Sequence, residues 1–162
     1  MQRAEIRITP IDRGEAPRIA SLWIEAGDLH ASLDPHFALS DRATRYYEVL
    51  VRKAIADPSY RVRAARHGVS DEIVGFHLSQ IVTVQPVFRL GRAGYISDLV
   101  VAPDHRRCGV ATLLGRDALD WFRERKVSTA QIQVLSANGP AEAFWRERMG
   151  FADYMDRLWL DL

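Results

Sequence analysis

Asp98-Leu-Val-Val-Ala-Pro-Asp-His-Arg-Arg-Cys-Gly-Val-Ala-Thr112 reads as a strand, a short basic turn and the first residues of an amphipathic helix. At such a junction several main-chain N–H groups have no helical partner, and the positive end of the helix stands behind them. Gly109 carries no side chain where an anion has to approach the main chain, and Arg106 and Arg107 add positive charge beside it. Two arginines at a positive helix end are electrostatically misplaced unless an anion joins them. The stretch therefore reads as a cradle for linked phosphates.

Working outward, Tyr95-Ile-Ser-Asp-Leu-Val-Val101 leads into this turn as a strand. Farther along stand Ile132-Gln-Val-Leu-Ser-Ala-Asn138, Ala141-Glu-Ala-Phe-Trp145 and Met149-Gly-Phe151. Arg106-x-x-Gly109-x-Ala111 fits an Arg/Gln-x-x-Gly-x-Gly/Ala signature, and together these blocks resemble the GNAT superfamily of N-acetyltransferases. The resemblance implies an α/β fold in one domain over 1–162: a mixed, mostly antiparallel sheet, helices on both faces, and a central strand pair that splays apart. It also implies acetyl-CoA as co-substrate. The amides of Arg107, Cys108, Gly109, Val110, Ala111 and Thr112, with Arg106, would hold the pyrophosphate. The main chain of Leu99, Val100 and Val101 would pair with the pantetheine arm, and Asn138 would contact that arm or cap the helix after it.

Bulk properties fit this frame. The chain has 162 residues, long enough to bury a continuous core. Its 22 basic and 21 acidic side chains give a net charge of +1, which is no electrostatic footprint for nucleic acid or an anionic membrane. The amino-terminal residues alternate charged and apolar positions without the apolar core of a signal peptide. A single cysteine, Cys108, permits no internal disulfide, so a cytoplasmic setting is expected.

Periodicity supplies the element order. Alternation from Glu5 to Thr9 predicts a strand, and helices are expected over Glu15–Ala31 and from Ser40 to Asp57. Tyr60–Arg66 and Glu72–Val84 read as a hairpin with a tight turn at His67-Gly68. The central strand follows, then a helix from Gly109 to about Lys126, a strand over Thr129–Leu135, and a helix from Pro140 to Met149. Alternation of Leu158, Leu160 and Leu162 predicts one or two closing strands within Phe151–Leu162. That segment either completes the chain's own sheet or pairs with a second copy in a homodimer.

The chemistry centres on Asp98. An amine attacks a thioester only when unprotonated, and a carboxylate at the mouth of the strand wedge takes that proton directly or through water. Strict alternation puts Ser97 and Leu99 on the face opposite Asp98. The resemblance implies a tyrosine in the last helix to protonate the departing thiolate, and here the sequence departs. Counting forward from Asn138 reaches Trp145, and counting back from Gly150 reaches Arg146. Tyr154 and Tyr95 are the substitutes, with Tyr154 taken as the candidate acid.

Trp23, His30, Asp34, His36 and Phe37 are expected to wall the acceptor pocket, a setting suited to a small-molecule or peptide amine. A metal centre on His30, Asp34 and His36 is disfavoured by the break at Pro35, and Cys108 reads as a small packing residue. The rival readings are a non-catalytic acyl-CoA sensor and a nucleotide-binding P-loop. The latter lacks Gly-Lys-Ser/Thr after the turn.

Overall fold

A computed structural model describes residues 5–162; the first four, where the amino-terminal alternation begins, lie outside the described residues. Five strands, β1 (Ile6–Pro10), β2 (Tyr60–His67), β3 (Ile73–Thr83), β4 (Arg92–Val101) and β5 (Ala130–Gln131), lie side by side in sequence order. Each of the first four is antiparallel to its neighbour, and β5 joins β4 in parallel. Among the described residues four α-helices accompany them: α1 (Ala16–Leu33), α2 (Ala43–Ala56), α3 (Val110–Glu124) and α4 (Gly139–Ala143).

The helical spacing explains which face each helix covers. In α1, Ile19, Leu22 and Trp23 share one stripe, which packs with Tyr47 and Val51 of α2 onto Phe76, Leu78 and Val100 of the sheet. Val110, Leu114, Ala118, Trp121 and Phe122 of α3 cover the opposite face. Gly94 is required there, since a Cβ at that position would stand 2.5 Å from the Phe122 ring.

Three expected elements take a different form. The turn after β2 is not a two-residue hairpin turn. It runs to Glu72, whose carbonyl accepts from the His67 N–H (2.9 Å), with Asp71 in the left-handed region at φ 56°. The strand expected over Thr129–Leu135 shrinks to two residues, because β4 and β5 pair only at Gly94–Ala130 and Tyr95–Gln131. The closing strands expected within Phe151–Leu162 do not form. So short a β5 offers no edge long enough to organise them, and Leu158, Leu160 and Leu162 stay exposed.

A buried polar network ties α3 to the sheet. Asp117 accepts from Arg61 Nε (2.8 Å) and Nη2 (2.9 Å) and from His77 Nε2 (2.9 Å), while His77 Nδ1 faces the Ser79 hydroxyl at 2.9 Å. A carboxylate only accepts, so Nε2 carries the proton and Nδ1 accepts from Ser79. The Ser-His-Asp order imitates a nucleophilic triad, but His77 and Ser79 are fully buried, which leaves no route for a substrate.

Burial holds the His77 pKa below its usual value, whereas the Arg61 and His77 hydrogen bonds outweigh burial and hold Asp117 far below the carboxylate range. Unfolded His77 takes a proton near pH 6.5 while the folded residue resists it, so stability is expected to fall as pH drops below about 6.5. A second decline follows below about pH 4, where unfolded Asp117 protonates. Thermal melts between pH 5 and 8 check this. His77→Gln flattens the slope between pH 5 and 7, and an unchanged slope would show that His77 is not its source.

Candidate active site

The site is created by an irregularity in β4. Leu78 pairs with Asp98 but Ser79 pairs with Ile96, so Ser97 is an extra residue bulged out of the ladder. Ile96 and Leu99, three apart, therefore both face α3. Asp98 turns to the other face, towards α1 and α2. Strict alternation through Ser97 fails for this reason. Ser97 instead meets the Gln80 amide, whose Nε2 donates to the Ser97 hydroxyl at 3.2 Å.

Beyond the bulge, β4 has lost β5. The Ala102 N–H donates to Val74 O on β3 (2.8 Å). Antiparallel ladders alternate, so Val100 also turns its main chain to β3, while Leu99 and Val101 turn theirs to the gap left by β5. Of the three positions expected to pair with a pantetheine arm, two face the gap. Arg106 folds back to donate its Nε to the Val101 carbonyl (3.0 Å), leaving the Val101 N–H turned to the gap.

The turn expected to form the cradle lies between β4 and α3. Arg107 and Gly109 both take left-handed conformations (φ 59° and 87°), a pattern that aims successive N–H groups into one concavity. Among the described residues none of the six amides from Arg107 to Thr112 makes a short, well-aligned bond to a main-chain carbonyl, and the first to do so is Leu113, to Gly109 O at 3.2 Å. A Cβ on Gly109 would meet nothing within 4 Å, so the space before these amides is open. Cys108 is exposed on the same turn and so does not pack as expected, because the turn projects from the sheet.

On the other side of the gap, Trp23 donates its indole N–H to Asp98 Oδ1 (2.8 Å) and stacks on Tyr47 with ring centroids 4.3 Å apart. The Tyr47 hydroxyl lies beside the same carboxyl outside hydrogen-bonding geometry. It is the one buried side-chain polar atom without a partner among the described residues. Burial raises the Asp98 pKa above the usual carboxylate value, against the lowering pull of Tyr47, Trp23 and the nearby His30. Burial, reinforced by the Asp98 charge, raises Tyr95 likewise.

The expected acceptor wall divides. Trp23 and His30 stand at Asp98. His30 also faces the Asn138 amide (3.4 Å) and tilts against Phe37, with centroids 6.0 Å apart. Asp34 and His36 pair with each other (2.7 Å) and sit farther out. Asn138 caps α4, its Oδ1 accepting from the Ala141 N–H at 3.3 Å. Tyr154 is 77% exposed on the carboxy-terminal segment, away from any packed element.

Trp145 belongs to the core with Phe144 and Phe151, and Arg146 is engaged by Glu142 and Asp153. Phe144–Arg148 forms a π-helical turn, closed by the Met149 N–H to Phe144 O bond (3.1 Å). That turn absorbs one extra residue, which is why counting from Asn138 and counting from Gly150 differ by one. Sequence reasoning missed Tyr47, whose helical spacing marks it only as core, and the bulge at Ser97, which leaves no compositional trace.

The model of the acetyltransferase (GNAT) family matches residues 26–151. A stretch of 57 residues is 44% identical to the streptothricin acetyltransferase of Streptomyces lavendulae, covering 35% of this chain; the chain spans only 30% of that relative's length. The fold is similar to the BH1408 protein of Bacillus halodurans, solved as a tetramutant, at TM-score 0.84 and 18% identity over 98% of this chain and 99% of that one. It is also similar to an aminoglycoside acetyltransferase from an uncultured soil sample, solved in complex with sisomicin. There the TM-score is 0.69 and the identity 17%, over 97% of this chain and 96% of that one.

Proposed function

The chain belongs to the acetyltransferase (GNAT) family, and we propose that it transfers the acetyl group of acetyl-CoA to a primary amine of a small molecule or peptide by direct attack in a ternary complex. The observation that carries this reading is the row of six amides, Arg107 to Thr112, with no short, well-aligned main-chain acceptor, at the end of a strand whose neighbour has departed. Bound there, acetyl-CoA supplies an activated thioester. The chain's own residues do the rest.

The amides of the turn hold the pyrophosphate, and Leu99 and Val101 pair with the arm of the coenzyme as an added strand. The amine nitrogen attacks the thioester carbonyl carbon from the α1 and α2 side while its proton passes to Asp98, directly or through a water. One of these two N–H groups turned into the gap, on Leu99 or Val101, meets the oxyanion while the other holds the arm. The C–S bond then breaks, leaving an amide and a thiolate. With Trp145 in the core and Arg146 in ion pairs, that thiolate takes its proton from solvent or from a distant tyrosine such as Tyr154.

The lack of an adjacent acid favours a second reading, a sensor that binds acyl-CoA without turnover. Titration calorimetry with acetyl-CoA and coenzyme A release across an amine panel separate the two. The panel begins with streptothricin and aminoglycoside amines, the acceptors named by the relatives. Saturable binding with release on at least one amine supports transfer, binding without release on any amine supports the sensor, and no binding overturns both.

A further inference from the structure

Residues 151–162 form no regular structure, yet they follow a defined course. At their root the Phe151 N–H donates to Trp145 O (2.9 Å), and Asp153 pairs with Arg146 (2.6 Å). Midway, Arg157 lies near enough to the Tyr95 phenol for its charge to act on that group, and the Asp98 charge acts on the same phenol. At the far end, Asp161 Oδ1 accepts from the Trp159 indole N–H (2.9 Å) and meets His36 Nε2 at 3.0 Å. The Trp159 ring leans on the His36 ring with centroids 4.9 Å apart. His36 Nδ1 in turn meets Asp34 Oδ1 at 2.7 Å. The segment thus starts beside α4, on the β5 side of the gap, and ends after α1 on the opposite side, passing Tyr95 on the way.

We infer that this segment is a strap across the acceptor mouth, that Arg157 and Trp159 form the outer wall of the acceptor pocket, and that His36 is the residue that positions it. The proposal rests on the acetyltransferase reading for the identity of the mouth, but the strap and its clamp stand on the contacts alone. The chemistry of the clamp is specific. Both imidazole nitrogens face carboxylate oxygens, which only accept, so both must carry hydrogen and the ring is a cation when the strap is held. Asp34 and Asp161 are the charged groups that face it, and their hydrogen bonds raise the His36 pKa above 6.5. Losing the proton turns one contact into an oxygen–nitrogen lone-pair repulsion. The strap is held below that pKa and loosens as pH rises through it.

The clamp also explains an otherwise awkward surface. Leu158 and Trp159 are 90% and 71% exposed, far more than a segment held for packing would show. A strap anchored by polar contacts keeps its apolar side chains free to meet the acceptor.

The test is Asp161→Asn, read in two ways. By NMR, the His36 ring of the native chain titrates above 6.5, and in the variant it moves back towards 6.5. In kinetics, the acceptor KM rises at least about fivefold while the dissociation constant for acetyl-CoA, measured by calorimetry, does not move. Trp159→Ala reproduces the KM effect without removing a charge. An unmoved His36 titration overturns the clamp. A shifted titration with an unchanged acceptor KM overturns the strap's place over the mouth. Absence of acetyl-CoA binding in the native chain overturns the transferase reading instead, and the His36 titration then still decides whether the clamp exists.

Discussion

Asp98→Asn is expected to lower kcat about 100- to 1,000-fold, within the usual worth of a positioned general base, while leaving the affinity for acetyl-CoA unchanged. The substitution keeps an oxygen for the Trp23 indole N–H, which donates at 2.8 Å in the native chain, and removes only the capacity to take a proton. Folding should not suffer. Because burial raises the folded-state pKa of Asp98, its charge opposes folding, and the stability this group contributes is fully present below its unfolded value near 3.9 and lost as pH rises through the folded value. A neutral asparagine escapes that loss, so the melting temperature at pH 7 stays level or rises.

The pH dependence has a sign of its own. The base works when ionised, so native activity declines as pH falls through the raised Asp98 pKa. In the variant the only free amine is the fraction supplied by solvent, and its rate climbs about tenfold per pH unit until the amine's own pKa, near 10.4 for a lysine-like amine, is reached. Steady-state kinetics from pH 6 to 9.5, with melts at pH 7, check all three statements. A variant that melts normally and turns over at the native rate removes Asp98 from the mechanism.

The fold is legible wherever a periodic pattern meets a partner. The stripe of Val110, Leu114, Ala118 and Trp121 marks α3, and the signature at Arg106, Gly109 and Ala111 marks the turn before it, because helix spacing and a left-handed glycine are local demands. The carboxy-terminal segment is not legible in this way, although Leu158, Leu160 and Leu162 alternate as strand residues do. Alternation reports which side chains share a face, but a strand exists only beside an edge, and β5 pairs over two residues. The site is half readable for the same reason. Asp98, Trp23 and His30 converge as expected, but the bulge at Ser97 depends on the register between β3 and β4. Tyr47 enters the site through its stacking on Trp23, and Asp34 and His36 pair with each other at its outer edge; neither shift has a signal in spacing.

The phosphate turn carries the other large effect. Gly109→Val is expected to weaken acetyl-CoA binding about 10- to 100-fold, the worth of roughly one hydrogen bond to a charged group. The reason is not a clash within the chain, since a Cβ at Gly109 would meet nothing within 4 Å. Two other effects act. The backbone there sits at φ 87°, a region a β-branched residue adopts only with strain of about 1–3 kcal/mol. The added methyl groups also occupy the open space towards which the amides of Arg107 to Thr112 are turned. Gly109→Asn separates the two, because asparagine tolerates the left-handed region far better yet still fills the space. Calorimetry with acetyl-CoA should find both variants weakened, while melts show only Gly109→Val clearly destabilised. Weakened binding in the valine variant alone would trace the effect to backbone strain, and native affinity in both would mean that the phosphates are held elsewhere. Arg106 makes the result sharper still. Its Nε is committed to the Val101 carbonyl at 3.0 Å, so this side chain holds the end of β4 in place, and on the proposed reading the grip on the linked phosphates falls chiefly to the main chain that Gly109 keeps open.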